Sequence, residues 1–140
     1  MTTIVYRDGI IAYDSRTMCD NFIVSDKTDK HYISHGIHFF MAGNVSDHNL
    51  LMSAYRDNNQ QWKGDAQAMV VDAGQLRFIN MTPDSGTTWH DWPHDDYRAI
   101  GSGQDFAYTA MDMGATAKEA VAMAMKRDPG TGGRIRSFKI

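Results

Sequence analysis

Thr2-Thr3-Ile4-Val5-Tyr6-Arg7-Asp8-Gly9-Ile10-Ile11-Ala12-Tyr13-Asp14-Ser15-Arg16 decides the fold. Two β-rich runs, Thr3–Tyr6 and Ile10–Tyr13, flank Asp8-Gly9, the dipeptide that best accommodates the left-handed backbone of a type I′ turn. The spacing predicts a hairpin with Asp8 and Gly9 as its turn residues, which sets Thr3 opposite Asp14 and Thr2 opposite Ser15. The end of the second strand thus returns to the first residues of the chain. Removal of Met1 would leave Thr2 with a free α-amine beside its own hydroxyl. An α-amine titrates near pH 7.7 to 8, and a hydroxyl needs a positioned base to attack a carbonyl. One residue would then supply nucleophile and base together.

Outward from this hairpin, residues 31–34 and 38–41 read as strands turning at Gly36 after a polar loop. Ala42-Gly43-Asn44 is expected to break the second strand. Ser46-Asp47 caps a helix with Leu50, Leu51, Ala54 and Tyr55 at helical spacing, ending near Asn58 to Gln60. Residues 66–72 and 76–81 form a further hairpin around Ala73-Gly74-Gln75, and 97–100 another strand. Beyond Gly101-Ser102-Gly103, the residues Phe106, Ala107, Ala110 and Met111 mark a helix that stops at Gly114. Thr116 and Glu119 make a capping box for the next helix, whose buried face carries Ala117, Ala120, Val121 and Ala124. A turn-rich stretch, Arg127 to Gly133, precedes a last strand over 134–140.

The chain has 140 residues, 42% of them apolar and 22% charged, which fits one globular domain over 1–140. A formal net charge of −3 without a Lys/Arg run argues against nucleic acid as a partner. No apolar run is long enough to span a bilayer, so no membrane association is expected. The single cysteine, Cys19, allows no internal disulfide, and no secretory leader is visible, so a reducing cytoplasm is expected. Cys19 has no basic cluster around it beyond Arg16 and is not expected to be a catalytic thiol.

Trp89-His90-Asp91-Trp92-Pro93-His94-Asp95-Asp96 collects potential metal ligands, but Pro93 keeps His90 and His94 off a shared helical face and no cysteine lies near. An aromatic loop or intersubunit contact is expected there, and no metal or other cofactor.

In order along the chain, "TTIV", "GIIAYDSR", "MAGNVSD", "AIGSGQDFA" and "KRDPGTGG" resemble the motifs of proteasome β-subunits and of the related bacterial peptidase HslV, both N-terminal nucleophile hydrolases. The resemblance implies a four-layer αββα sandwich of the α+β class, here shortened and lacking one outer helix. In its compactness the chain is similar to proteasome-like proteins of bacteriophages, which would place it in a bacterial or phage-infected cytoplasm. By the same resemblance Thr2 is the nucleophile, Asp14 the strand-end carboxylate and Arg16 its neighbour. Lys30 is the active-site lysine, with Lys27 close enough to compete. Ser102, Asp128 and Thr131 surround the amine, and Gly43 offers its N–H to the oxyanion. Met41 and Val45 fall on the substrate-binding segment, with Met41 favouring a large apolar residue. A peptide or protein substrate and a homo-oligomer, potentially a ring, are implied; an unfoldase partner is not identified.

The chemistry asks for these residue types. A charged Lys30 near Thr2 would lower the amine's pKa and stabilise an ionised oxygen, with Asp14 keeping the lysine protonated. Ser102 and Asp128 can orient the amine, and an N–H aimed at the oxyanion is worth about 3 to 4 kcal/mol. Two other activities remain open: cleavage of a small amide without a chamber, and a non-catalytic assembly protein that keeps Met1.

Overall fold

The structure is a computed structural model, and it describes residues 2–140. Met1, on which removal or retention turns, lies outside the described residues. The chain divides into two compact units, Met1–Lys30 with His94–Ile140, and His31–Pro93.

The first unit contains β1 (Ile4–Arg7), β2 (Ile10–Tyr13), β3 (Thr17–Cys19), β4 (Phe22–Ser25), β10 (Arg98–Ile100), β11 (Arg136–Lys139), α2 (Gln104–Asp112) and α3 (Ala117–Arg127). Its main sheet is antiparallel in the order β10-β1-β2-β11, and β3 and β4 make a separate two-stranded sheet. Asp8 and Gly9 both have positive φ, 51° and 80°, as a type I′ turn requires. Ile4 pairs with Tyr13 and Val5 with Ala12, the expected register. It continues past the strand ends, where the Asp14 N–H donates to the Thr3 carbonyl.

Val5, Ala12 and Ala99 on one sheet face join Ala107 and Met111 of α2 and Ala117, Ala120 and Val121 of α3 in one apolar cluster. The alanines bring the helices close without a large side chain in the way. Thr116 caps α3 as expected: its Oγ1 accepts the Glu119 N–H at 3.2 Å, and Glu119 Oε1 accepts the Thr116 N–H at 2.9 Å.

The second unit contains β5 (His31–Ser34), β6 (Ile37–Gly43), α1 (His48–Arg56), β7 (Ala66–Asp72), β8 (Gln75–Thr82) and β9 (Gly86–Asp91). These strands form one antiparallel sheet in sequence order. His35-Gly36 and Ala73-Gly74 repeat the left-handed pair of the first hairpin. Leu51, Ala54 and Tyr55 of α1 pack into a core with Phe39, Met41, Val70 and Ile79.

The four-layer αββα sandwich is not what the chain forms. Among the described residues, eleven strands fall into three antiparallel sheets, and the α-helices are short, with 9, 9 and 11 residues. The architecture is mostly antiparallel β. Two segments expected to be irregular are strands: residues 17–25, read as polar loop, hold the β3–β4 hairpin, and Trp89, His90 and Asp91 end β9 against β8. The strand ends within Ala42-Gly43-Asn44 as expected, with Gly43 closing β6 opposite Ala66. Asp47 sits at the start of α1 without a side-chain capping bond, and the helix stops at Arg56, two residues short of expectation, before Asn58 at φ 52°. No helix among the described residues is long and apolar enough to cross a membrane.

Candidate active site

Thr2 and Thr3 precede β1, and the strand pairing delivers Asp14 beside them. Asp14 is fully buried. Its Oδ1 accepts the Thr3 N–H at 3.1 Å, and its Oδ2 accepts the N–H groups of Gly132 at 3.0 Å and Arg16 at 3.2 Å. A buried carboxylate needs such donors to offset its desolvation. The fourth donor is Lys30, whose Nζ lies 2.6 Å from Asp14 Oδ1.

Lys30 arrives from a segment without regular structure, so its position depends on tertiary bonds. The Thr28 N–H donates to the Ser15 carbonyl at 3.0 Å, the Thr17 hydroxyl donates to Thr28 Oγ1 at 2.6 Å, and the Tyr13 hydroxyl donates to Asp29 at 3.2 Å. Tied back to the end of β2, the segment buries Lys30 and places Nζ 2.9 Å from Thr2 Oγ1. Burial lowers the Lys30 pKa from the ordinary lysine value, while the charge and hydrogen bond of Asp14 oppose that shift. Lys27, the competing lysine, is exposed and uses its backbone N–H on Ser25 Oγ.

On the other side of Thr2, its N–H donates to Ser102 Oγ at 3.0 Å. Ser102 donates to Asp128 Oδ2 at 2.6 Å, Thr131 donates to the same oxygen at 2.6 Å, and the Gly130 N–H donates to Asp128 Oδ1 at 3.1 Å. Burial works to raise the Asp128 carboxyl, but these hydrogen bonds outweigh it and hold the group below the usual carboxylate range. Asp128 is therefore an acceptor at neutral pH.

The glycines of this region answer to close approaches. A Cβ at Gly101, where φ is 96°, would stand 2.0 Å from the Thr2 carbonyl oxygen, and one at Gly103 would stand 2.0 Å from Thr3 Oγ1. The bare backbone lets the Gly103 N–H reach the Thr2 carbonyl at 3.3 Å. A Cβ at Gly132 would meet the Arg16 guanidinium at 2.4 Å. Arg16 in turn donates to Asp26 at 2.8 and 3.2 Å and to the Pro129 carbonyl at 3.0 Å, holding the loop after α3 against the end of β2.

Thr2, Asp14, Lys30, Ser102, Asp128 and Thr131 thus come together within the first unit, with Arg16 behind them. Gly43, Met41 and Val45 lie in the second unit. Gly43 has φ 91°, and a Cβ there would meet the Ala66 Cα at 2.8 Å, so strand approach alone requires glycine. Met41 is fully buried in that unit's core, and Val45 is exposed on a 3₁₀ turn, Val45–Asp47. Among the described residues no group of three or more His, Cys, Asp or Glu side chains is placed to hold a metal ion. Cys19 is exposed at the end of β3.

Sequence reasoning missed Thr3, whose hydroxyl lies 2.7 Å from Thr131 Oγ1, and Asp26, the partner of Arg16. The signal for Thr3 was present in the hairpin register, which sets it directly opposite Asp14.

Neither a protein-family model nor a curated protein matches the chain. Solved structures do. The Thiobacillus denitrificans protein BPH in complex with epoxomicin superposes with a TM-score of 0.70 at 15% identity, covering 99% of this chain and 97% of that one. A structure described as Thiobacillus denitrificans BPH gives 0.69 at 17% identity, covering 99% and 96%. At these identities the likeness is one of fold: from end to end, the chain has the fold of BPH.

Proposed function

We propose that this chain is a threonine-type hydrolase of peptide or amide bonds, similar to proteasome β-subunits, in which Thr2 Oγ1 is the nucleophile. The observation that carries the reading is the buried Lys30 ammonium, shared between Thr2 Oγ1 at 2.9 Å and Asp14 Oδ1 at 2.6 Å. A hydroxyl that accepts from a buried cation is stabilised as it ionises, since opposite charge favours the charged form. The base in this reading is the α-amine of Thr2 itself, which is free only when no residue precedes it.

The surrounding bonds give each proton a place. Ser102 has committed its hydrogen to Asp128, so it can only accept from the Thr2 nitrogen. An amine that donates one N–H to Ser102 keeps its lone pair for the Oγ1 proton. Oγ1 then attacks the carbonyl carbon, the leaving amine takes the proton, and the acyl group rests on Thr2 as an ester. Water, deprotonated by the same amine, releases the acid and restores Thr2.

BPH, with which this chain shares its fold, has been solved with epoxomicin, a proteasome inhibitor, which supports a peptide-like substrate. The test is intact mass after incubation with epoxomicin, with fluorogenic peptide turnover measured in parallel. The expected result is a chain beginning at Thr2 that gains one inhibitor mass, and loss of both adduct and turnover in Thr2→Ala. Unchanged turnover in Thr2→Ala sinks the proposal.

A further inference from the structure

Thr3 is fully buried, and its Oγ1 lies 2.7 Å from Thr131 Oγ1. Either hydroxyl could donate on distance alone, but the neighbours decide the direction. Thr131 carries one hydroxyl hydrogen and spends it on Asp128 Oδ2 at 2.6 Å. An ionised carboxylate cannot donate in return. Thr3 must therefore donate to Thr131.

We infer that Thr3 is a positioning residue for the Thr2 centre: its hydroxyl closes a hydrogen-bonded ring from the Thr2 N–H through Ser102, Asp128 and Thr131 back to the adjacent residue. The inference rests on the reading of Thr2 as nucleophile. The two arms of the ring converge on one oxygen, Asp128 Oδ2, so each hydroxyl has a single allowed orientation. Donation from Thr3 polarises the Thr131 O–H and strengthens its bond to the carboxylate. That bond keeps Asp128 ionised, and ionised Asp128 keeps Ser102 an acceptor toward the Thr2 nitrogen. Thr3 also donates its backbone N–H to Asp14, the partner of Lys30. One residue thus joins the carboxylate that holds the cation to the carboxylate that orients the base.

The site enforces this geometry. At Gly103 a Cβ would lie 2.0 Å from Thr3 Oγ1 and 3.0 Å from Thr131 Oγ1, so a bare backbone is required where the two hydroxyls meet. Lys30 acts on Asp128 through its charge, Arg16 reaches the neighbouring Pro129 carbonyl, and Lys126 and Arg127, in the last turn of α3, precede Asp128.

The experiment uses the full chain with Thr3→Val, which keeps the shape and removes the donor, and Thr3→Ser, which keeps the donor. Thr3→Ala replaces the valine variant if that one does not fold. The Asp128 carboxyl is titrated by carbon NMR, and kcat and KM for a fluorogenic peptide are measured against pH. Removing the donor is expected to move the Asp128 midpoint upward by about half a unit to one unit, and to lower kcat roughly tenfold with little change in KM. Thr3→Ser is expected to restore both. An Asp128 midpoint unchanged in Thr3→Val or Thr3→Ala overturns the inference, as does a serine variant that behaves like valine. Thr2→Ala, run alongside, separates the two failures: turnover that survives in it overturns the nucleophile assignment, whereas the carboxyl titration reads the Thr3 bond whatever the chain hydrolyses.

Discussion

Asp14 and Lys30 form an ion pair in which both partners are buried, the carboxylate completely, with Nζ 2.6 Å from Oδ1. Such a pair offsets its desolvation only when the remaining lone pairs are used, and here three backbone N–H groups use them.

Breaking this pair from the lysine side is expected to destabilise the fold. Lys30→Met leaves a buried carboxylate without its cation, a change of about 3 to 5 kcal/mol. Asp14→Leu is expected to cost more, because it also orphans the N–H groups of Thr3, Arg16 and Gly132 at about 1 to 3 kcal/mol each. Lys27→Ala, at an exposed position, should stay within about 0.5 kcal/mol of the wild type. Urea unfolding of the three variants checks the order. Equal effects of the Lys30 and Lys27 changes would contradict it.

Asp128 and Lys30 both make stability rise with pH, each in its own window. The Asp128 pKa is lower in the folded chain than in the unfolded one, so its contribution is complete above the unfolded value and is lost as pH falls through the folded value. Lys30 is also lowered, so over the window below the ordinary lysine value the unfolded chain binds more protons, and its contribution improves as pH rises through that window. Asp128→Asn is expected to flatten the acid side of the stability profile and Lys30→Met the alkaline side, read as denaturation midpoints across pH. Wild-type slopes in both variants would refute the assignment.

Gly103→Ala isolates packing from backbone strain. Gly103 has φ −92° and ψ 8°, a conformation open to alanine, so it is the close approaches, 2.0 Å to Thr3 Oγ1 and 3.0 Å to Thr131 Oγ1 and Ala124 Cβ, that oppose the new methyl group. A loss of about 1 to 3 kcal/mol is expected from overpacking, together with loss of turnover as the Thr3–Thr131 bond is displaced. A variant as stable and active as the wild type would mean that the approach is looser than this.

Ala73 holds a left-handed conformation, φ 51°, at the first position of the β7–β8 turn, followed by Gly74 at 78°. Alanine is poorly suited there, whereas asparagine tolerates it and is preferred in type I′ turns. Ala73→Asn should raise stability by about 0.5 to 1 kcal/mol, visible as a rise of a few degrees in Tm. A lower Tm would argue against the turn assignment.

The first hairpin was legible because one dipeptide determines both its turn and its pairing, and the placement of Asp14 beside Thr3 follows from that alone. The capping box of α3 was legible for the same reason, being a local code. Lys30 could not be separated from Lys27 by pattern, since the bonds of Thr28 to Ser15 and Thr17 that aim it are tertiary. The β3–β4 hairpin lacks alternation: Phe22, Ile23 and Val24 are consecutive apolar residues, all exposed. β9 was hidden because its Trp89-His90-Asp91 end reads as a ligand-rich loop, while its pairing partner β8 lies earlier in the chain. With both segments read as irregular, the β content was underestimated, and the expectation of a four-layer sandwich came with the resemblance to proteasome β-subunits.

The turn at Asp8 and Gly9 acts as a ruler for the chemistry at the far end of its hairpin. Strand side chains alternate between faces, so one residue inserted between Arg7 and Ile10, with the turn redrawn around it, would present Tyr13 or Ser15 where Asp14 now meets Thr3. Lys30 would then face a phenol or a hydroxyl in place of a carboxylate. The distance that matters to Thr2 is thus counted out by two turn residues that never touch it.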